Sequence, residues 1–136
     1  MTPNDANQIL QDNFAEWVLA LKPNVIDIGP SGAVLEIPIT PAIARVGGIV
    51  SGQALATLAD TAMVFACLGH LGKLELVSTV TLDNQFLRPA RGRHVRAKAE
   101  VTKAGRAMMF TRATLVALPD KKDVAFATAT FARPVS

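Results

Sequence analysis

"SGQALATLADTAMVFACLGH", residues 51–70, holds a single formally charged side chain, Asp60, in a run otherwise made of apolar and small residues. Leu55, Leu58, Ala59, Ala62 and Ala66 recur at helical spacing, and Val64, Phe65 and Leu68 carry the apolar surface around the other side. A helix apolar nearly all round has to be covered on several sides at once. The spacing predicts a helix from about Ser51 to Leu68, closed by "GHLGK" at 69–73. Its one carboxylate calls for an explanation.

The totals narrow the setting. A chain of 136 residues makes one domain with a single substantial core, residues 1–136, in which 1–22 form an N-terminal helix and 51–70 the central one. Half the residues are hydrophobic, which excludes disorder and raises the question of a membrane. The weakly polar run Val46–Leu71 is interrupted by Ser51, Gln53, Thr57, Asp60 and Thr61. A mid-membrane Asp costs about 2.5–3.5 kcal/mol on insertion scales. The run therefore reads as a buried helix of a soluble protein with no membrane partner. The N-terminus lacks a basic start and carries Asp12 and Glu16 where a signal peptide needs an apolar core. The one cysteine, Cys67, has apolar neighbours and cannot form an internal disulfide, so a reducing cytoplasm is the expected compartment.

The rest of the chain alternates. Leu10, Phe14, Trp17, Val18 and Leu21 sit at helical spacing, with Asn4 or Asp5 as cap and Lys22-Pro23 as stop. Two short strands are expected at Val25–Gly29 and Ala33–Ile39, joined by the turn "GPSG", and "ARVGGIVSG" at 44–52 reads as a glycine-rich loop. Beyond the central helix, Glu75–Leu87, Arg93–Thr102, Ala107–Leu118 and Val124–Ala132 read as strands. In the first of these, Leu76, Val80, Leu82 and Phe86 share one face, and Thr79, Thr81, Asp83 and Gln85 the other. The expected fold class is α+β: an antiparallel sheet of about six strands wrapped around one long helix.

The neighbours of Asp60 one turn away are Ala56, Thr57, Met63 and Val64, which do not describe a wet face. An unpaired carboxylate there costs several kcal/mol unless something compensates, and such costs concentrate at functional sites. The bland alternative is an acid facing solvent or satisfied by Thr57 or Thr61. Just ahead, "GGIVSG" places Gly52 at the helix start, where free N–H groups and the positive dipole end suit an oxyanion. Without a side chain, Gly52 lets a carbonyl come close. Eight residues separate Gly52 from Asp60, about 12 Å at about 1.5 Å per residue. One carbonyl cannot meet both in a single chain. Two antiparallel copies of the helix across a two-fold axis bring the Gly52 end of one beside Asp60 of the other, which implies a homodimer with two shared sites.

These residues, "GGIVSGQALATLADTAMVFA" followed by "VSTVTLDNQFLRPARG" (77–92), resemble the hotdog-fold acyl-CoA thioesterases of the PaaI-like group, from about Val34 to the C-terminus. The resemblance implies that Asp60 is the catalytic carboxylate, as general base or nucleophile, and that the Gly52 N–H polarises the thioester carbonyl. It implies that Thr79, from the other protomer, orients water or carboxylate; the strand alternation places it on the face turned away from its own helix. It implies no cofactor beyond the coenzyme A of the substrate. The sequence departs from the family pattern at Ser51, where a His precedes the catalytic glycine, and at Arg45, where Asn or Gln touches the thioester. Ser51 can cap the helix or hydrogen-bond. Arg45 can pair with Asp60 across the dimer or bind an acyl carboxylate. Gly48 completes the expected substrate-binding loop.

Between Leu87 and Arg112 eight cations (Arg88, Arg91, Arg93, Arg96, Lys98, Lys103, Arg106 and Arg112) face one acid, Glu100. Such an excess suits an anionic ligand. Arg88 and Arg106 are the candidates for the CoA nucleotide; the alternative is a solvated sheet edge whose charges discourage strand pairing. Neither His70 nor His94 has ligand spacing to a metal-binding partner. Hydrolysis of an acyl-CoA thioester is the expected function, with non-hydrolytic acyl-CoA binding or sensing as its alternative. Nucleic-acid binding is the weakest reading, because the basic run lacks interleaved aromatics.

Overall fold

A computed structural model describes residues 1–134. The chain begins with helix α1, Pro3–Asn13, and a single turn, α2, Glu16–Leu19. Strands β1 (Asn24–Gly29) and β2 (Gly32–Pro38) form a hairpin, followed by a two-residue pair, β3 (Ala44–Arg45) and β4 (Ile49–Val50). Helix α3 spans Gly52–Leu71. Strands β5 (Ser78–Phe86), β6 (His94–Ala104), β7 (Met108–Leu118) and β8 (Lys122–Ala132) complete the chain. Six strands pair antiparallel in the order β1-β2-β6-β7-β8-β5. The sheet wraps α3, as the all-round apolar helix requires.

Alternation builds the wrapped face. Val95, Ala97 and Ala99 of β6, Ala113, Leu115 and Ala117 of β7, and Ala125, Ala127, Ala129 and Phe131 of β8 are buried against the buried side of α3. The many alanines let the sheet close tightly on the helix, while Phe65, Leu58, Met63 and Leu68 fill the space between. By length and composition α3 could cross a membrane, and two thirds of that apolar window (67%) is buried inside this fold. A β-carbon on Gly69 would lie 2.5 Å from the Gly29 carbonyl oxygen, so only glycine lets α3 pass the β1–β2 turn. Ser51 caps the start through its Oγ, which accepts from the Ala54 N–H at 3.2 Å, and Gly72 ends the helix in the left-handed conformation.

Three local expectations are corrected. The N-terminal segment is two helices rather than one: the chain is extended at Phe14, whose ring stacks on Phe65 with centroids 5.5 Å apart. Its cap is Thr2, with Asp5 returning the capping-box bond at 2.9 Å; Asp5 is the third helical residue of the box, not the cap. The glycine-rich stretch is a small hairpin, with Gly47 and Gly48 at φ 90° and 73° in its turn. Strands of two residues are too short to show a period.

Strand β5 occupies one edge of the sheet and β1 the other. Its connection to β6 returns past the start of α3, where Val50 N–H donates to the Ala90 carbonyl at 3.0 Å. That crossing sets Gly52 beside the end of β5.

Candidate active site

On α3, residues 52, 56, 57, 60 and 64 are only half-buried, while most of the helix is covered. Their four-residue spacing makes one open stripe along the helix. Asp60 lies at its middle. Burial raises its pKa above the usual 3.8, and a hydrogen bond from Thr79 opposes the shift. Among the described residues no cation lies within ion-pair distance of it. The carboxylate is instead held by the Thr79 hydroxyl, which donates to Oδ1 at 2.9 Å. Thr57 and Thr61, the expected bland partners, donate to the carbonyls of Gln53 and Thr57 within the helix.

The Thr79 contact corrects the expected strand faces. Regular alternation puts Thr79 with Thr81 and Asp83, away from the helix. The β5–β8 register shifts between Thr79 and Thr81, where Val80 bulges out. Thr79 therefore pairs with buried Phe131 and turns to the helix side with Leu82, Asn84 and Phe86, whose partners Ala129, Ala127 and Ala125 are buried. A one-residue insertion inverts every side chain on one side of it. The bond to Asp60 is made within one protomer.

Gly52 occupies the first helical position. Its φ lies outside the positive range, and a β-carbon there would meet the Phe86 ring, nearest at Cζ 3.4 Å away, an ordinary contact. Neither backbone conformation nor crowding within the chain demands a glycine. Gly52 and Arg45 line a cavity of about 350 Å³ with Ile49, Leu55, Phe86 and Arg88. Neither arginine has a carboxylate partner among the described residues.

Two further cavities, about 190 and 320 Å³, meet at Asp60. Both are walled by Phe14, Val18 and Val64; Trp17 and Leu82 close the first, Leu68 and Leu76 the second. Glu75 also lines the second, but it is tied to Arg133 by bonds of 2.7 and 2.9 Å, which hold its pKa below the usual carboxylate value.

The sequence-predicted residues thus fall into two groups. Arg45, Gly52 and Arg88 share one cavity; Asp60 and Thr79 share the other region. Ser51 adjoins the first as the helix cap. Gly48 donates its N–H to the Arg45 carbonyl at 3.1 Å and shapes the hairpin turn without lining the cavity. Arg106 stands in the β6–β7 turn, next to Met108, which pairs with Ala132 beside Ser78. Within one protomer that is the opposite end of β5 from Arg88. Sequence reasoning missed Phe86, Glu75, and the wall of Phe14, Trp17 and Val18; of these only the helical spacing of the last was visible. Cys67, buried and pushed up to about 12, takes no part.

The thioesterase superfamily profile matches residues 47–124, which include α3 and strands β5, β6 and β7. The chain belongs to the thioesterase superfamily, and its fold is the hotdog fold of that superfamily's solved structures. Among these, a thioesterase family protein from Silicibacter pomeroyi is 26% identical, with a TM-score of 0.83 over 96% of this chain and 99% of that one. A thioesterase from Haemophilus influenzae is 19% identical, with a TM-score of 0.87 over 98% and 91% of the two chains. Zebra fish thioesterase superfamily member 2 is 22% identical, with a TM-score of 0.85 over 98% and 99%. A search of curated protein sequences finds no significant match.

Proposed function

We propose that this chain hydrolyses an acyl-CoA thioester to the free acid and CoA, as a PaaI-like member of its superfamily, at two sites shared by a homodimer. The observation that carries this reading is the Asp60 carboxylate: without a cation partner among the described residues, raised in pKa by burial, held by Thr79, and set between two cavities on the open stripe of α3. The Asp60 carboxylate takes a proton from water as the water oxygen attacks the thioester carbonyl. The Gly52 N–H of the partner receives the oxyanion, and collapse expels the CoA thiolate, which takes the proton back from Asp60. Direct attack by Asp60 on the carbonyl, followed by hydrolysis of the mixed anhydride, uses the same groups.

The dimer is supported by the edge strand. β5 is nine residues long, contains no Pro or Lys, and exposes Val80 and Phe86, each to 53%. An edge of that kind pairs with another chain unless it is protected. Antiparallel pairing of two β5 edges sets two copies of α3 side by side in opposite directions, and brings the Arg106 turn of one protomer to the Arg88 end of the other. Arg45, Arg88 and Arg106 are then the cations for CoA phosphates, with Ser51 and Gly48 at the entrance. A tetramer is the further assembly open to such dimers. The reaction uses no cofactor beyond the CoA of its substrate and has no nucleic-acid or membrane partner, and the single cysteine suits a reducing cytoplasm.

The second reading is acyl-CoA binding or sensing without hydrolysis. It is favoured by Ser51, whose hydroxyl is engaged as the helix cap, and by Arg45, which puts a cation where the family pattern has an amide. Thiol release from a panel of acyl-CoAs by the wild type and by Asp60→Asn decides between them. Hydrolysis lost with the substitution supports the enzyme. CoA binding by calorimetry with no hydrolysis of any panel member selects the sensor. Turnover undiminished in Asp60→Asn removes the role assigned to that residue.

A further inference from the structure

Helix α2 packs on the core through the half-buried Leu19 and leaves Trp17 on its outer side. None of its four residues is buried, and Trp17 is 63% exposed. A large exposed aromatic with no packing role calls for a partner. Trp17 and Val18 both face the stripe of α3 that carries Ala56 and Asp60, across a cavity of about 190 Å³. The adjoining cavity, about 320 Å³, shares Phe14, Val18, Val64 and Asp60.

The two ends of the site differ in charge. Among the described residues no Lys or Arg lines either cavity at Asp60, and the acids there are Asp60 itself and Glu75. The cavity at Gly52 has two guanidinium groups and no acid. Glu75 is neutralised by Arg133, so the Asp60 carboxylate alone disfavours phosphates and acyl carboxylates on its side, while the arginines attract them to the other. The two Asp60 cavities adjoin at Phe14, Val18 and Val64 and form one largely apolar path along α3.

Resting on the thioesterase reading, we propose that Phe14, Trp17 and Val18 form the acyl pocket, and that Trp17 selects uncharged apolar acyl groups longer than acetyl over acetyl itself and over ω-carboxylated chains. α2 is thus the specificity element of the site, acting through contact with the acyl chain and not through the reacting atoms.

Trp17 is the sole tryptophan, so its emission reports occupancy directly. The wild type is titrated with non-hydrolysable ketone analogues, S-(2-oxooctyl)-CoA and S-acetonyl-CoA, and with CoA alone. The long-chain analogue is expected to blue-shift the emission, while acetonyl-CoA and CoA bind with little change. In parallel, Trp17→Ala is expected to lower kcat/KM for hexanoyl-CoA about 10- to 100-fold, as loss of an aromatic contact surface implies. It lowers kcat/KM for acetyl-CoA far less, so the hexanoyl-to-acetyl preference falls, and Trp17→Phe restores most of that preference. Emission that responds equally to all three ligands, or not at all while they bind, overturns the assignment, as does an equal effect of Trp17→Ala on both substrates. A blue shift without hydrolysis of any thioester keeps the pocket and removes the hydrolytic reading. Failure of every CoA compound to bind removes both.

Discussion

The Thr79 hydroxyl reaches Asp60 Oδ1 at 2.9 Å because Val80 bulges out of β5 and turns Thr79 towards α3. A carboxylate on a largely apolar helix is thereby given one neutral donor and, among the described residues, no counter-charge. That combination leaves it basic as well as oriented. Burial raises its pKa, and the Thr79 bond, which favours the charged form, limits the rise.

The pH profile follows from these signs. Asp60 acts in its ionised form, so kcat/KM is expected to rise with pH through an inflection above 3.8. Thr79→Ala removes the group that favours the carboxylate, so the inflection moves further up and the plateau falls about 10-fold. A pH–rate series on both proteins checks this. A downward move of the inflection in Thr79→Ala contradicts the arrangement.

Stability has the opposite sign. A carboxyl with a raised folded pKa contributes stability that is present below its unfolded pKa and lost as pH rises through the folded one. Asp60→Asn, neutral throughout, is expected to melt at or above the wild-type temperature at pH 7, with the difference closing as pH falls towards 3.8. Its activity is expected to fall by about 10²–10⁴. Thermal melts at a series of pH values test the pair of effects.

Gly52→Ala separates fold from function. The added methyl meets Phe86 Cζ at an ordinary 3.4 Å, and alanine favours helix, so stability is expected to hold or rise by up to about 0.5–1 kcal/mol. Activity is expected to drop at least 10-fold, because the space filled belongs to the substrate. A destabilised but fully active variant contradicts this use of Gly52.

Gly69→Ala does the reverse. Its β-carbon would lie 2.5 Å from the Gly29 carbonyl oxygen, a backbone atom that cannot yield locally. A loss of about 1–3 kcal/mol is expected in denaturant unfolding, as for other overpacked sites, with the residual folded protein keeping its activity.

The central features of the fold were legible because each rests on a period. An apolar surface all round α3 demands a wrapping sheet, and alternation in β6, β7 and β8 supplies its inner face. The lone acid and the glycine ahead of it were readable as departures from those patterns. Thr79 was readable as a residue type but not by position, since a bulge leaves no mark in a run such as "STVTLD". The split between α1 and α2 was hidden for a related reason. Phe14 continues the helical spacing of Leu10 and Trp17, and only its stacking on Phe65 shows why the chain leaves the helix there. The cavity shared by Arg45, Gly52 and Arg88 arises from a crossing connection, which no local pattern encodes.

The most direct test is complementation between two inactive chains. Gly52→Val and Asp60→Asn proteins, differently tagged and co-expressed, are purified as the mixed dimer and assayed for thiol release. One of its two sites then carries Gly52 and Asp60 together, each from a different chain, and about half the wild-type activity is expected from a pair of dead parents. A mixed dimer as inactive as both parents would show that glycine and aspartate do not meet across the two-fold axis.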